Sequence, residues 1–477
     1  MESEKFRRQL RQEAEQWWRD GLIDASVYEV LAQRYQFQDL ESEAKSRFVV
    51  ILMSLGGILL GLGVITYVAA NWQGWPREFR TLLLLALFLS VNAVGFYLWR
   101  RSPSQGGQRL GHALLLLGAL ILGANLGLMS QMFHQSGNLY ELYLVWSLGV
   151  LAMAYGLRLA SLGILALILM AMGYCVGLGA WYGGTASGWQ VFIEQMPFAV
   201  AGLFVPLAYW CCSRALFGLA AIAVGLSLQS NLALLLSDDS SWSMIAIATA
   251  LPPALLWSYS DRFWQWDQPK AIRLQQSQQK QPSPSPFQDI TRPLSITFLS
   301  LFLYLVSFHG IWQYRWFDNI GSPMPQVKSL IFSVVVLGLL TLWGWAKIAN
   351  QGLHQRQTPT RFLNSGTIAG LIALITGITV WHEVATLPTL GPVCINMLLF
   401  FLALALIRDG LALGTREMFW SGMVLLVVDI MSRTLEYNTD LLIKALAFAL
   451  CGAGIIVAGL WFERHIKPAH TLQEKTR

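Results

Sequence analysis

The sequence predicts an all-α integral membrane protein, a bundle of about 14 transmembrane helices. Hydrophobic residues make up 55% of the 477-residue chain, and charged residues only 13%, about half the share usual in soluble proteins. Apolar runs long enough to cross a bilayer recur along the chain, and Lys and Arg collect in alternate connections between them. These observations exclude a soluble globular protein, a disordered chain and a disulfide scaffold as descriptions of the whole.

A polar segment, residues 1–47, opens the chain and predicts a cytoplasmic amphipathic helical hairpin. Gly21 separates its two helices, and Asp24 or Ser26 is placed to cap the second. The apolar stripes consist of Phe6, Leu10, Ala14 and Trp17 on the first helix, and Val27, Val30 and Leu31 on the second. Two interpretations stay open: an anchor lying on the inner leaflet, or a docking element for a protein partner.

The predicted spans follow the hairpin. They are residues 48–70, 80–99, 110–132, 141–157, 159–180, 197–213, 215–236, 242–260, 294–314, 327–346, 362–381, 390–407, 417–432 and 440–462. Only Arg158 separates the fourth span from the fifth, and only Arg214 separates the sixth from the seventh. The count therefore depends on helix breaks at these two residues.

Charge placement predicts the orientation of the bundle. With a cytoplasmic N-terminus, 27 of the 33 Lys and Arg residues fall on the cytoplasmic side. The positive-inside rule then places both termini in the cytoplasm and the chain in the plasma (inner) membrane. The lipid bilayer is the expected partner, and we expect no nucleic-acid partner.

A Gln-, Pro- and Ser-rich segment divides the predicted spans into two groups. Residues 261–293 have the composition of a flexible cytoplasmic linker. The first membrane bundle is predicted at residues 48–260, with about 8 helices, and the second at 294–462, with about six. Residues 463–477 form a predicted cytoplasmic tail.

Several short stretches are similar to a known bacterial family. They are Trp18-Arg-Asp-Gly-Leu-Ile-Asp, Gly56-Gly-Ile-Leu-Leu-Gly-Leu-Gly-Val-Ile, Ala69-Ala-Asn-Trp72 and Gln131-Met-Phe-His134-Gln-Ser-Gly137-Asn138. Together they resemble the membrane-protein family called domain of unknown function 2157, over roughly residues 10–155. The resemblance implies a multi-pass membrane location. Because the family's function is unknown, it implies no catalytic residue.

Charged residues within the thirteenth and fourteenth spans form the first candidate site, an ion or substrate pathway. Asp429, Arg433 and Glu436 follow one another at i, i+4 and i+7 and share one helical face. Lys444 and Asn396 are predicted at similar depth on neighbouring spans. Intramembrane charge is costly and commonly marks such a pathway. The alternative is a local ion pair near the outer interface, with Lys444 extending its ammonium group to the headgroups.

A second candidate site is an outer vestibule on the third span and its outer loop. Its residues are Asn125, Gln131, His134, Glu141, Asn71 and Trp72. In this interpretation these side chains line a vestibule that opens to the outer face. In the alternative, Asn125 and Gln131 make hydrogen bonds between helices, and His134 is solvated. The seventh span is also polar in its predicted outer half, at Ser227, Gln229, Ser230 and Asn231.

These patterns leave three functions open. The favoured one is a secondary transporter or flippase-like carrier with an outward-facing polar cavity. The alternative is a non-catalytic membrane sensor, scaffold or assembly component that uses the hairpin. A membrane-embedded transferase would need a base at the outer face, such as His134, His382 or Glu383. No metal or cofactor is expected: Thr386 stands where a His-Glu-x-x-His zinc site needs its second histidine, and no Walker A motif is present.

Overall fold

The computed structural model describes most of the chain. The described residues are 4–35, 59, 66–67, 70, 72–103, 105–134, 137–182, 188–238, 242–261, 287–313, 328–354, 362–437 and 440–465. Within these residues every regular element is helical. The all-α prediction is therefore confirmed for the described part of the chain. The predicted span 48–70 lies almost wholly outside it, as does Asn71.

The N-terminal hairpin consists of α1, Glu4–Arg19, and α2, Ala25–Arg34. Gly21 lies in the turn between them with φ of +69°, a conformation that glycine adopts without strain. Ala14 is fully buried in a small core of its own, packed by Leu10, Trp17, Tyr28, Leu31, Ala32 and Tyr35. Leu10, Ala14 and Trp17 of the stripe predicted for α1 thus face α2. On α2, Val30 keeps 65% of its surface exposed.

The remaining helices form the apolar part of the chain. They are α3 Arg77–Arg101, α4 Gln105–Met132, α5 Leu139–Leu157, α6 Ala160–Tyr182, α7 Gln190–Glu194, α8 Met196–Trp210, α9 Arg214–Asp238, α10 Trp242–Ser258, α11 Gln288–Val306, α12 Lys328–His354, α13 Ser365–Val384, α14 Leu390–Leu413, α15 Arg416–Glu436 and α16 Leu441–His465. Ten described helices are long and apolar enough to cross a membrane. Shorter apolar helices lie at Met196–Trp210, Met244–Ser258 and Lys444–Leu460. The count of 14 spans stays a prediction.

Both helix breaks on which the span count depends are present. Arg158 ends α5 in the left-handed conformation, with φ of +54°, and its N–H donates to the Ala154 carbonyl. The second break precedes Arg214: α8 ends at Trp210, and Cys212 has φ of +49°. Each positive φ reverses the chain where the hydropathy pattern has almost no polar gap.

The helix of the ninth span differs from its predicted bounds, 294–314. α11 begins earlier, at Gln288, and ends at Val306, and a 3₁₀ turn then spans His309–Trp312. The indole of Trp312 folds back, and its Nε1 donates to the Val306 carbonyl at 2.6 Å. The apolar run continues past the helix end, so hydropathy alone does not show this break.

Two apolar cores organise the helices. The first draws on α4 to α10 and also takes Val334 and Leu337 of α12. The second gathers Trp257 of α10 with residues of α11, α13 and α14. Large apolar side chains remain exposed around both, among them Leu342 at 68% exposure. Such surfaces are stable against lipid and not against water.

Candidate functional site

The end of α11 is the centre of a polar cluster. Ser307 is fully buried, and its carbonyl lies just beyond the last helical residue. Arg433 Nη1 donates to this oxygen at 2.9 Å, and Asn396 Nδ2 donates to it at 3.1 Å. A carbonyl at a helix end lacks its intrahelical donor, so side chains from α14 and α15 supply the hydrogen bonds. We call Ser307, Asn396, Asp429, Arg433 and Glu436 the Ser307 cluster.

Arg433 is shared between two carboxylates of the Ser307 cluster. Its Nε lies 3.8 Å from Asp429 Oδ1, one helical turn earlier, and its Nη1 pairs closely with Glu436. Glu436 Oε1 also accepts the N–H of His309 at 2.6 Å. The carboxylate of Glu436 is thus bonded at both oxygens, whereas Asp429 lies beside the guanidinium at a longer distance.

Polar atoms in the Ser307 cluster remain without hydrogen bonds. Asp429 Oδ1, Asn396 Oδ1 and Arg433 Nε are buried and have no hydrogen-bond partner. Asp429 itself is 7% exposed. Two acceptors and one donor are therefore unsatisfied within one cluster, and such a set is unusual in a folded interior.

Aromatic rings close the cluster. The guanidinium of Arg433 stacks on the ring of Phe308, 4.0 Å from its centroid. Beyond it, Trp312 packs edge-to-face on His382 with 4.8 Å between ring centroids. His382 is fully buried, and its Nδ1 accepts the N–H of Leu387 at 3.0 Å. His382 is therefore held in a helix-end contact, which gives no support to its role as an exposed base.

The structure brings four of the five predicted pathway residues to the Ser307 cluster. Lys444 is the fifth. It lies in α16, which packs on α15, yet its side chain makes no ion pair with a described carboxylate. Sequence reasoning could not anticipate Ser307, because the group that binds is a backbone carbonyl freed by the end of a helix.

The vestibule residues have unlike surroundings. Asn125 is buried, Glu141 and Trp72 are half-buried, and Gln131 and His134 are exposed. Asn125 and Gln131 are six residues apart on α4, so they point to different sides of the helix. His134 lies in the turn after α4 with φ of +51°. Trp72 begins a 3₁₀ turn, and Arg80 stacks on its ring at 5.5 Å.

A second buried polar group lies in the first core. Glu194, at the end of the five-residue helix α7, is only 6% exposed. Asn231 Nδ2 donates to its backbone carbonyl at 2.8 Å, and the Tyr174 hydroxyl donates to Asn231 Oδ1 at 2.8 Å. The polarity of the seventh span signalled Asn231. Glu194 was missed because it lies between two predicted spans.

Asp409 is a third buried carboxylate, also missed by sequence reasoning. It is fully buried near the end of α14. Its two oxygens accept the N–H groups of Phe362 and Leu363, at 2.9 and 2.8 Å. Arg408 Nη1 lies 3.3 Å from Oδ1. These bonds tie the connection before α13 to α14.

A groove of about 550 Å³ lies between α10, α12 and α13. Its lining is largely Ala and other apolar residues, with Thr376 as a polar member. The Thr376 hydroxyl already donates to the Ile372 carbonyl at 2.7 Å. The groove thus offers few groups for a polar solute. Among the described residues, no three His, Cys, Asp or Glu side chains are grouped to hold a metal ion.

Comparison with protein-family models gives a match. No curated protein and no solved structure matches the chain. The match lies in the N-terminal third, as the sequence stretches around Trp18 and Trp72 predicted, and it confirms the resemblance. Residues 15–163 match the family model described as "Predicted membrane protein (DUF2157)".

Proposed function

We propose that the chain is a secondary transporter or flippase-like carrier in which Asp429 binds the coupling proton. The charge of the Ser307 cluster carries this proposal. Two carboxylates, Asp429 and Glu436, share the single guanidinium of Arg433. With all three ionised, the cluster holds one uncompensated negative charge among apolar helices, which is costly. A bound proton removes that charge.

Hydrogen bonding favours Asp429 over Glu436 as the carboxylate that takes the proton. Glu436 accepts the His309 N–H and pairs closely with Arg433, so its charge is well stabilised. Asp429 has a buried oxygen without a hydrogen bond, and Arg433 Nε faces it at 3.8 Å. This arrangement suits a neutral Asp429 whose ionised form would draw the guanidinium closer.

Movement of Arg433 would connect proton binding to the backbone. Its Nη1 holds the Ser307 carbonyl at the end of α11, where the helix gives way to the 3₁₀ turn. Ionisation of Asp429 pulls the guanidinium away from Ser307 and Glu436. The turn after α11 is then released, and reprotonation restores it. Many carriers bind their substrates and coupling ions at the ends of interrupted helices.

The same proposal includes 14 spans with both termini cytoplasmic, in two bundles on either side of the linker. Hydrogen bonds between helices support spans that cross the membrane in alternating directions. The predicted outer ends of α11 and α15 meet at Ser307, together with Asn396 near the outer start of α14. The predicted inner ends meet separately: Trp257 Nε1 of α10 donates to Ser365 Oγ of α13 at 3.1 Å.

The proposed function is tested in proteoliposomes that contain a pH-sensitive dye. A proton gradient is imposed, and organic acids, amino acids, sugars and lipid-linked sugars are added in turn. We expect at least one class to dissipate the gradient with the wild type and with Glu417→Gln, an exposed acid on the same helix. Asp429→Asn should abolish the substrate-dependent dissipation of the gradient. Equal dissipation by Asp429→Asn and the wild type would contradict the proposal.

The hairpin favours one second candidate, a sensor or scaffold. Trp18, Leu22 and Val30 expose 49%, 71% and 65% of their surfaces although the hairpin has a core of its own. An exposed apolar face of this kind fits a protein partner. Deleting residues 1–35 separates the candidates: a carrier keeps proton-coupled transport, whereas a scaffold loses its partner and shows no transport with any variant.

A further inference from the structure

Glu194 is a buried carboxylic acid that the proposed carrier mechanism does not use. Its Oε1 accepts a hydrogen bond from Gln190 Nε2 at 2.9 Å. Unlike Asp429, it has no cationic partner among the described residues. A carboxylate that is buried without a cation has lost its hydration and has no opposite charge to replace it.

The backbone around Glu194 joins α7 to its neighbours. Asn231 of α9 donates to the Glu194 carbonyl, and Tyr174 of α6 fixes Asn231. One residue later, Gln195 Oε1 accepts the hydroxyl of Ser333 of α12 at 2.5 Å. The acid therefore lies at the point where α6, α9 and α12 hold the short helix.

The groups bonded around the Glu194 backbone are neutral. The phenol of Tyr174 of α6 donates to Asn231, the amide of Asn231 of α9 donates to the Glu194 carbonyl, and the hydroxyl of Ser333 of α12 donates to Gln195. Burial raises the pKa of the Glu194 carboxyl, and the hydrogen bond from Gln190 lowers it by less. The fold therefore shifts the protonation equilibrium of this acid toward its protonated form.

We infer that Glu194 is a second proton-binding site, separate from Asp429, and that loss of its proton loosens α7 from α9 and α12. Ionisation places a charge beside the Asn231 and Gln195 bonds with no cation to balance it. Water must then reach the carboxylate, and those bonds open. All the contacts that support this proton site lie in the first core, and none of them depends on transport activity.

Hydrogen exchange of the full chain in lipid nanodiscs tests the inference. Exchange at residues 190–196 is followed between about pH 5 and about pH 8, with correction for the intrinsic pH dependence of each amide. We expect the wild type and Glu417→Gln to lose protection several-fold as pH rises. Glu194→Gln, which keeps the size and cannot ionise, should hold its protection constant.

Two results would overturn the inference. One is wild-type protection at residues 190–196 that does not change with pH. The other is the same pH-dependent loss in Glu194→Gln. If Glu194→Gln does not fold, the pH dependence of protection in the wild type is the deciding measurement.

Thermal unfolding gives a second, global readout. The pKa of Glu194 is higher in the folded state than in the unfolded chain. Below the ordinary carboxyl pKa both states are protonated, and Glu194 does not change the free energy of unfolding. As pH rises above that ordinary value the unfolded chain loses its proton first, so the stability of the fold decreases. Glu194→Gln should therefore raise Tm relative to the wild type by more at about pH 8 than at about pH 5. A difference in Tm that is constant with pH would count against the inference.

Discussion

Two buried aspartates on adjacent helices differ in how their oxygens are bonded. Asp409 near the end of α14 is fully buried, and its two oxygens accept backbone N–H groups from Phe362 and Leu363. Asp429 of α15 is 7% exposed, and its Oδ1 has no hydrogen bond, with Arg433 Nε at 3.8 Å. Burial is alike in the two sites, whereas hydrogen bonding is not.

In the proposed function, this difference separates a structural carboxylate, Asp409, from the proton-binding carboxylate, Asp429. The bonds to Asp409 exist only while the carboxylate is placed against the start of α13, so it fixes the connection between two helices. Asp429 lies against a guanidinium that has two other partners, Glu436 and the Ser307 carbonyl. In the proposed function, a change in its charge is therefore passed to Arg433 and from there to α11.

The largest decrease in the free energy of unfolding is expected for Arg433→Met. The substitution leaves Glu436 and the Ser307 carbonyl without their shared donor and Asp429 without its opposite charge. Breaking a largely buried network of this kind costs up to about 3–5 kcal/mol. Denaturant unfolding in a mild detergent measures the loss. Arg109→Met, at an exposed arginine of α4, is the control and should stay close to wild type. Equal stability of the two variants would show that Asp429 and Glu436 do not depend on Arg433.

A smaller effect is expected for Asp409→Asn. The amide has one acceptor oxygen, so the N–H of Phe362 or Leu363 loses its partner, at a cost of about 1–3 kcal/mol. Hydrogen exchange should become faster at residues 362–364. The fraction of Asp409→Asn that folds should still transport. Loss of transport without loss of protection would contradict the structural role of Asp409.

Periodicity predicted the parts of this site that lie on a single helix. Asp429, Arg433 and Glu436 share a face because their spacing of four and three residues matches a helical turn. The breaks at Arg158 and before Arg214 were predicted because lone charges interrupt apolar runs that are too long for one span.

The remaining parts depend on tertiary contacts that no local pattern records. The Ser307 carbonyl becomes an acceptor only because α11 stops at Val306, within an apolar run. Because Asp409 follows Arg408 just after a predicted span, the sequence pattern indicates a solvated residue of an inner loop. The fold instead buries its carboxylate. Lys444 shares the predicted depth of Asp429, yet depth does not fix the direction of a side chain around its helix.

The smallest effect on stability, and the clearest on coupling, is expected for Asp429→Asn. The amide cannot ionise, so it removes the charge imbalance of the Ser307 cluster and leaves Arg433 with Glu436 and Ser307. The free energy of unfolding should change by less than about 1 kcal/mol, below the cost of Asp409→Asn. Paired measurements of unfolding and proton-coupled transport on both variants check this. Asp429→Asn should fold and fail to couple, and Asp409→Asn should couple from a less stable fold. If Asp429→Asn is the less stable of the two, Asp429 is a structural carboxylate like Asp409, and the proton site must be sought elsewhere in the bundle.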